Sequence, residues 1–160
     1  MGAVSVDQSA KCLSQAQKDA AYKEWKFGNT NVYDPGCSMV FCVVALKKDA
    51  SVLWNQNVMG SGGINWQTVA DKNNKTYTPV SLPGPAQLYL QLRSGPVVVG
   101  VNPNAGSTHF VCVYKFSGDD ENVLASGFTC YDPAYTGSNI SRKLTDAFNY
   151  NKIASIRIYR

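Results

Sequence analysis

The sequence predicts an α+β protein, with helices first and an antiparallel sheet after them. Two observations carry this expectation. Up to about residue 94 the chain shows helical patterns, at 7–25, 37–49, 64–72 and 85–93. Beyond the stop at Gly95-Pro96 it changes to Val- and Ile-rich runs of strand length. Helices gathered ahead of strands point away from the βαβ alternation that builds a parallel sheet.

Taken in order, the segment from Asp7 to Trp25 is rich in Ala, Gln and Lys. Cys12, Ala16, Ala20 and Tyr22 or Lys23 give it a weak apolar face, so a helix is expected. Gly28-Asn29-Thr30-Asn31 and Asp34-Pro35-Gly36 are loops of turn residues. The run that begins at Cys37 is apolar all round and closes on Lys47-Lys48-Asp49. Val40, Val43 and Val44 favour a strand there, but the length favours a buried helix, which is the reading adopted. Short helices are expected near Ile64 to Lys72 and from Pro85 to Arg93. Strands are expected from Pro96 to Val101, His109 to Phe116, Val123 to Tyr131 and Ile153 to Tyr159. The middle two form a hairpin around Ser117-Gly118-Asp119-Asp120, and Ser141 to Asn149 reads as a short helix.

Size and charge narrow the function. The 160 residues fit one domain, 1–160, large enough to bury about 70% of the surface of its unfolded chain. A net charge of +4, with no basic run longer than Lys47-Lys48, is too thin for a nucleic-acid binder. The longest apolar stretch, Met39 to Leu46, is too short to span a bilayer, so no membrane insertion is expected. The first residues, MGAVSVDQSAKC, have neither a basic n-region nor an apolar h-region. No signal peptide is expected; the chain would be cytoplasmic at synthesis, with export or phage delivery left open. The five cysteines, odd in number and without a C-x-x-C pair, read as reduced thiols. Their spacing with His109 matches no structural zinc module, so neither a metal nor another cofactor is implied.

Chemistry concentrates at three positions. Cys37 follows a Pro-Gly turn and opens the expected buried helix, where unpaired N–H groups and the positive helix end favour a thiolate. A thiolate nucleophile needs an imidazole as base and later as acid, and His109 is the one histidine of the chain. A third group must orient that ring, and Asp132 is placed for it. With His109 opposite Asp132 in the hairpin, 111 faces 130 and 113 faces 128. Cys130 then shares their face, whereas Cys112 points to the other side as a core residue, which argues against a disulfide between the two.

The ordered pieces Gly36-Cys37, Gly95 to Val101 (GPVVVGV), His109 to Val113 (HFVCV) and Tyr131 to Gly137 (YDPAYTG) resemble the C39-like papain-fold cysteine peptidases. Ser141-Arg142-Lys143-Leu144 resembles the segment that follows the Asp-Pro turn in that family. The resemblance covers roughly residues 25 to 150. It implies a papain-like fold with a helical half (about 1–94) carrying Cys37 and a sheet half (about 95–160) carrying His109 and Asp132. It further implies a cleft for an extended peptide, with Gly36, Ser38, Ser107 and Thr108 meeting the substrate. An oxyanion hole would join the Cys37 N–H to an upstream amide side chain, usually Gln. No Gln lies between Gly28 and Cys37, which makes Asn31 the candidate donor and Asn29 the second. Ser38-Met39 also stands where the family commonly has Gly-Pro. The implied substrates are peptides, either leader peptides or peptidoglycan cross-links. Two other readings stay open: a binding module that keeps the fold without turnover, and an acyltransferase that uses the same triad.

Overall fold

The computed structural model describes residues 2–12, 26–27, 30–31, 46–48, 50–60, 63–81, 83–101, 109–132, 141–145 and 153–160. In chain order its strands and helices are β1 (Ala3–Asp7), β2 (Lys26–Phe27), β3 (Thr30–Asn31), α1 (Ala50–Asn55), β4 (Met59–Gly60), β5 (Gly63–Ile64), α2 (Trp66–Lys72), β6 (Tyr77–Ser81), α3 (Pro85–Leu92), β7 (Val97–Val101), β8 (His109–Asp119), β9 (Phe128–Tyr131), β10 (Ser141–Lys143) and β11 (Ile153–Tyr159). The class is α+β, as expected. Among the described residues the main sheet has seven strands, in the order β10-β9-β8-β7-β11-β6 with β1 also on β8. Every pairing described is antiparallel.

Strand β8 organises this sheet. β9 lies along one edge, from Cys112 to Phe116. The other edge is shared: β7 takes His109 to Val113, and β1 takes Lys115 to Asp119. β7 reads Val-Val-Val-Gly-Val and is buried at every position, as a central strand covered on both faces must be. The outermost strand β6 carries Pro79, which has no N–H to offer a further strand.

Helix α3 starts with Pro in its first turn, where a missing N–H costs nothing, and buries Leu88, Tyr89 and Leu92. It packs on β7, β8 and β11, with the Tyr89 ring 5.0 Å from that of Phe116. Its last carbonyls find partners on distant segments. Gln8 Nε2 donates to Leu92 O (2.9 Å) and Arg93 O (3.1 Å), Arg160 Nη2 to Gln91 O (2.7 Å) and Lys11 Nζ to Ser94 O (3.3 Å). Donors and cations at a helix C-terminus satisfy orphan carbonyls and complement the dipole.

Alternation along β8 and β9 sorts the two faces. His109, Val111 and Val113 share a face with Cys130 and Asp132. A bulge between Val113 and Lys115 then brings Phe116 and its partner Phe128 onto that same face, beneath α3. The opposite face carries Cys112, Tyr131 and Phe110, with Trp66 of α2 against Phe110 at 5.0 Å and Arg157 lying 5.1 Å over the Trp66 ring. A smaller cluster of Leu53, Val58, Ile64, Val69, Ala70 and Tyr159 joins α1 and α2 to the edge of the sheet.

Several expectations change. The sheet is not confined to residues after 94, because β1 and β6 join it from the first part of the chain. Asp7 ends a strand and Ser9–Lys11 is a 3-10 turn, where a helix was expected. The Ala-Val-Ser-Val-Asp alternation of β1 suits a sheet edge, and pairing with β8 satisfies it. Ser141–Lys143 is a strand on β9, not the start of a helix: pairing overrides the weak helix preference of a short segment. Val123 precedes β9, which begins at Phe128 after a 3-10 turn at Ala125–Gly127. The helices at Trp66–Lys72 and Pro85–Leu92 and the strands β7, β8 and β11 stand where the sequence put them. Of the helix expected from Cys37, residues 37–45 lie outside the described residues; Leu46 is helical and Lys47, with φ of 53°, stands in a turn, so no helix continues through Lys48.

Candidate functional site

His109 is the first residue of β8, paired with Val101, the last residue of β7, so it stands at the rim of the sheet. Asp132 directly follows β9, whose pairing with β8 ends on Cys112 opposite Tyr131. The expected register is therefore corrected by two residues: 113 faces 130, not 128. His109 and Asp132 are diagonal neighbours rather than opposite ones. A shift of two preserves the face, since side chains alternate with period two. Diagonal positions lie about 7–8 Å apart, within reach of longer side chains. The two groups meet: His109 Nε2 lies 2.9 Å from Asp132 Oδ1.

The environment gives that contact its chemical meaning. The Asp132 side chain is 1% exposed and that of His109 is 22% exposed, so a buried carboxylate holds a ring that keeps access to solvent. An ionised carboxylate only accepts hydrogen bonds, so the proton of the neutral ring sits on Nε2. Nδ1 is then the basic atom, and it faces away from the carboxylate. The other carboxylate oxygen, Oδ2, lies 3.9 Å from Arg142 Nη1 on β10. The β10–β9 register sets Arg142 opposite Cys130, again diagonal to Asp132.

The described cysteines are buried thiols at Cys12, Cys112 and Cys130. Cys130, on the His109 face, is pushed far up from the ordinary thiol range. Burial is the main cause and the Asp132 carboxylate adds to it, against the opposing charge of Arg142. A thiol that keeps its proton this firmly is no nucleophile. Cys112 belongs to the other face, beside Tyr131, and is fully buried in the core as expected. Cys12 directs its Sγ at Gln8 O, 3.8 Å away.

Of the other expected site residues, Cys37, Gly36, Ser38, Ser107 and Thr108 lie outside the described residues, as does Asn29. Asn31 lies in β3, opposite Lys26, and its side chain is outside the description. Trp66 packs on the face opposite His109, against Phe110 and stacked with Tyr77 at 6.3 Å. Arg142 went unforeseen as a site residue. A strand reading of Ser141–Lys143 would have placed it beside Cys130 and so near Asp132. Among the described residues no three His, Cys, Asp or Glu side chains gather as metal ligands, and no helix is long and apolar enough to cross a membrane.

A scan against protein-family models finds no match to this chain, and a search of curated proteins finds none.

Proposed function

We propose that this protein is a papain-fold cysteine peptidase of the C39-like type, with Cys37 as nucleophile, His109 as base and acid, and Asp132 as the group that orients the ring. One observation carries the reading. The single histidine of the chain is bound through Nε2 to a buried carboxylate, which leaves Nδ1 on the side of the ring away from that carboxylate. The motif order around Gly36-Cys37, His109 and Tyr131-Asp132-Pro133 supports it.

In this mechanism Nδ1 takes the thiol proton and the Cys37 thiolate adds to the scissile carbonyl carbon. The oxyanion is held by the Cys37 backbone N–H and the Asn31 side-chain amide. As the C–N bond breaks, the imidazolium passes its proton to the leaving amine. His109 then deprotonates a water that attacks the thioester and releases the carboxylic acid and the thiol. The Asp132 carboxylate orients the ring and stabilises the imidazolium. The substrate class is a peptide, from a leader sequence or a cell-wall cross-link, held along Gly36, Ser38, Ser107 and Thr108. No cofactor enters the reaction.

The test is the iodoacetamide labelling rate of Cys37, resolved by mass spectrometry, between pH 4 and 9. An ordinary thiol titrates near about 8.5, whereas a thiolate paired with imidazolium titrates several units lower. Fast labelling at pH 5 that disappears in His109→Ala is the expected outcome. Labelling of Cys37 that only begins near pH 8.5 and ignores His109 overturns the peptidase and leaves a binding module.

A further inference from the structure

We propose that Arg142 is a positioning residue of this site: its guanidinium faces the Asp132 carboxylate from the side away from His109 and offsets its charge at the imidazole. The inference rests on the proposed peptidase reading for its catalytic consequence, though not for its geometry. Among the described residues the two carboxylate oxygens face different partners. Oδ1 meets His109 Nε2 at 2.9 Å and Oδ2 faces Arg142 Nη1 at 3.9 Å. The Asp132 side chain is only 1% exposed, so water contributes little to its solvation. A carboxylate removed from water needs compensation, and a neutral imidazole supplies a hydrogen bond but no charge. Arg142 supplies the charge, because β10 pairs with β9 where it does.

The consequence for His109 follows from sign. The carboxylate favours the imidazolium, and the guanidinium behind it opposes it. Together they act on the ring as a pair of small net charge. The hydrogen bond therefore fixes the orientation of His109 without binding its proton too tightly to be given to a leaving amine. Among the described residues, the titratable or charged groups that the register sets beside His109 on this face are Asp132 after β9, Cys130 on β9 and Arg142 on β10, with Tyr89 of α3 farther along against Phe116. Opposite His109, β7 brings Val101, which carries none.

Because the chain has one histidine, a single imidazole resonance reports the titration without a substrate. The experiment follows it by NMR against pH in the wild type, Arg142→Gln, Arg142→Met and Arg142→Lys. Each protein is measured again carrying Cys37→Ala, so that coupling to the thiol is removed. The expected result is a midpoint raised by about one pH unit in Arg142→Gln and Arg142→Met, with Arg142→Lys close to the wild type. An unchanged midpoint in either charge-free variant, with its folded spectrum intact, overturns the proposal. Failure of both charge-free variants to fold, while Arg142→Lys folds with a midpoint displaced like that of a charge loss, also overturns it in favour of a packing role. Labelling of Cys37 is scored separately. If it ignores His109 while the midpoint still shifts, the peptidase reading fails and the Arg142–Asp132–His109 coupling stands.

Discussion

Asp132 combines two properties that substitution separates: an oxygen that accepts from His109 Nε2, and a charge. Asn keeps an acceptor oxygen in the same place and loses the charge, while Ala loses both. Asp132→Ala is therefore expected to slow Cys37 labelling at pH 6 by about tenfold or more, and Asp132→Asn by less, because ring orientation survives in it. Pseudo-first-order rates at fixed reagent concentration measure this, and equal rates for wild type and Asp132→Ala would remove Asp132 from the site. That His109 and Asp132 share a face was legible from alternation alone, since parity is unaffected by the two-residue error in register. Arg142 was not legible. Its segment runs into Leu144, which is helical, and edge-strand pairing claims only Ser141–Lys143 ahead of it.

The β8–β9 hairpin that aims those residues depends on one crowded place. Between Val113 and Lys115 the bulge changes the alternation, so that Phe116 enters the core between Tyr89, at 5.0 Å, and Phe128, at 4.8 Å. Gly127 closes over this ring. A Cβ there would lie 2.5 Å from Phe116 Cε2 and 2.8 Å from the Ser117 carbonyl oxygen. Phe116 is 1% exposed, so its ring has no free space to yield into, and a backbone oxygen yields even less. Gly127→Ala is expected to cost about 1–3 kcal/mol, a fall in Tm of roughly 2–12 °C for a chain of this size. Thermal unfolding followed by circular dichroism checks it, and an unchanged Tm would show that the turn at Ala125–Gly127 is not packed this way. The same turn explains the register error. The sequence suggested a tight closure at Ser117 to Asn122, but β1 pairs with the far half of β8 and carries it on to Asp119. The reversal therefore comes later and through a 3-10 turn. No local pattern near residue 117 announces a partner strand more than 100 residues away.

For the whole molecule, the switch from helical to strand patterning was enough to predict the α+β class. A division into a helical and a sheet half did not follow, because strands close by long-range pairing that composition does not encode. That pairing buries ionisable groups in the sheet, which gives stability a dependence on pH. Burial raises Cys130 first, with the Asp132 charge adding to it; burial likewise raises Tyr131, and also Tyr114 against the lowering effect of its hydrogen bond to Ser141. In the unfolded chain a thiol loses its proton near about pH 8.5, while the folded protein keeps Cys130 protonated well beyond that. Between those limits the unfolded state binds fewer protons than the folded one, so stability falls as pH rises. The contribution is fully present below about pH 8 and declines above it by up to about 1.4 kcal/mol per pH unit for this one group, with the tyrosines joining above about pH 10. Urea midpoints at pH 7.5, 8.5 and 9.5 in reductant are expected to fall in the wild type and to fall less steeply in Cys130→Ala. The remaining cysteines are common to both proteins, so the difference in slope reports Cys130 alone. Parallel slopes would mean that the thiol is reached by water, and with it the face of the sheet on which His109 and Asp132 meet.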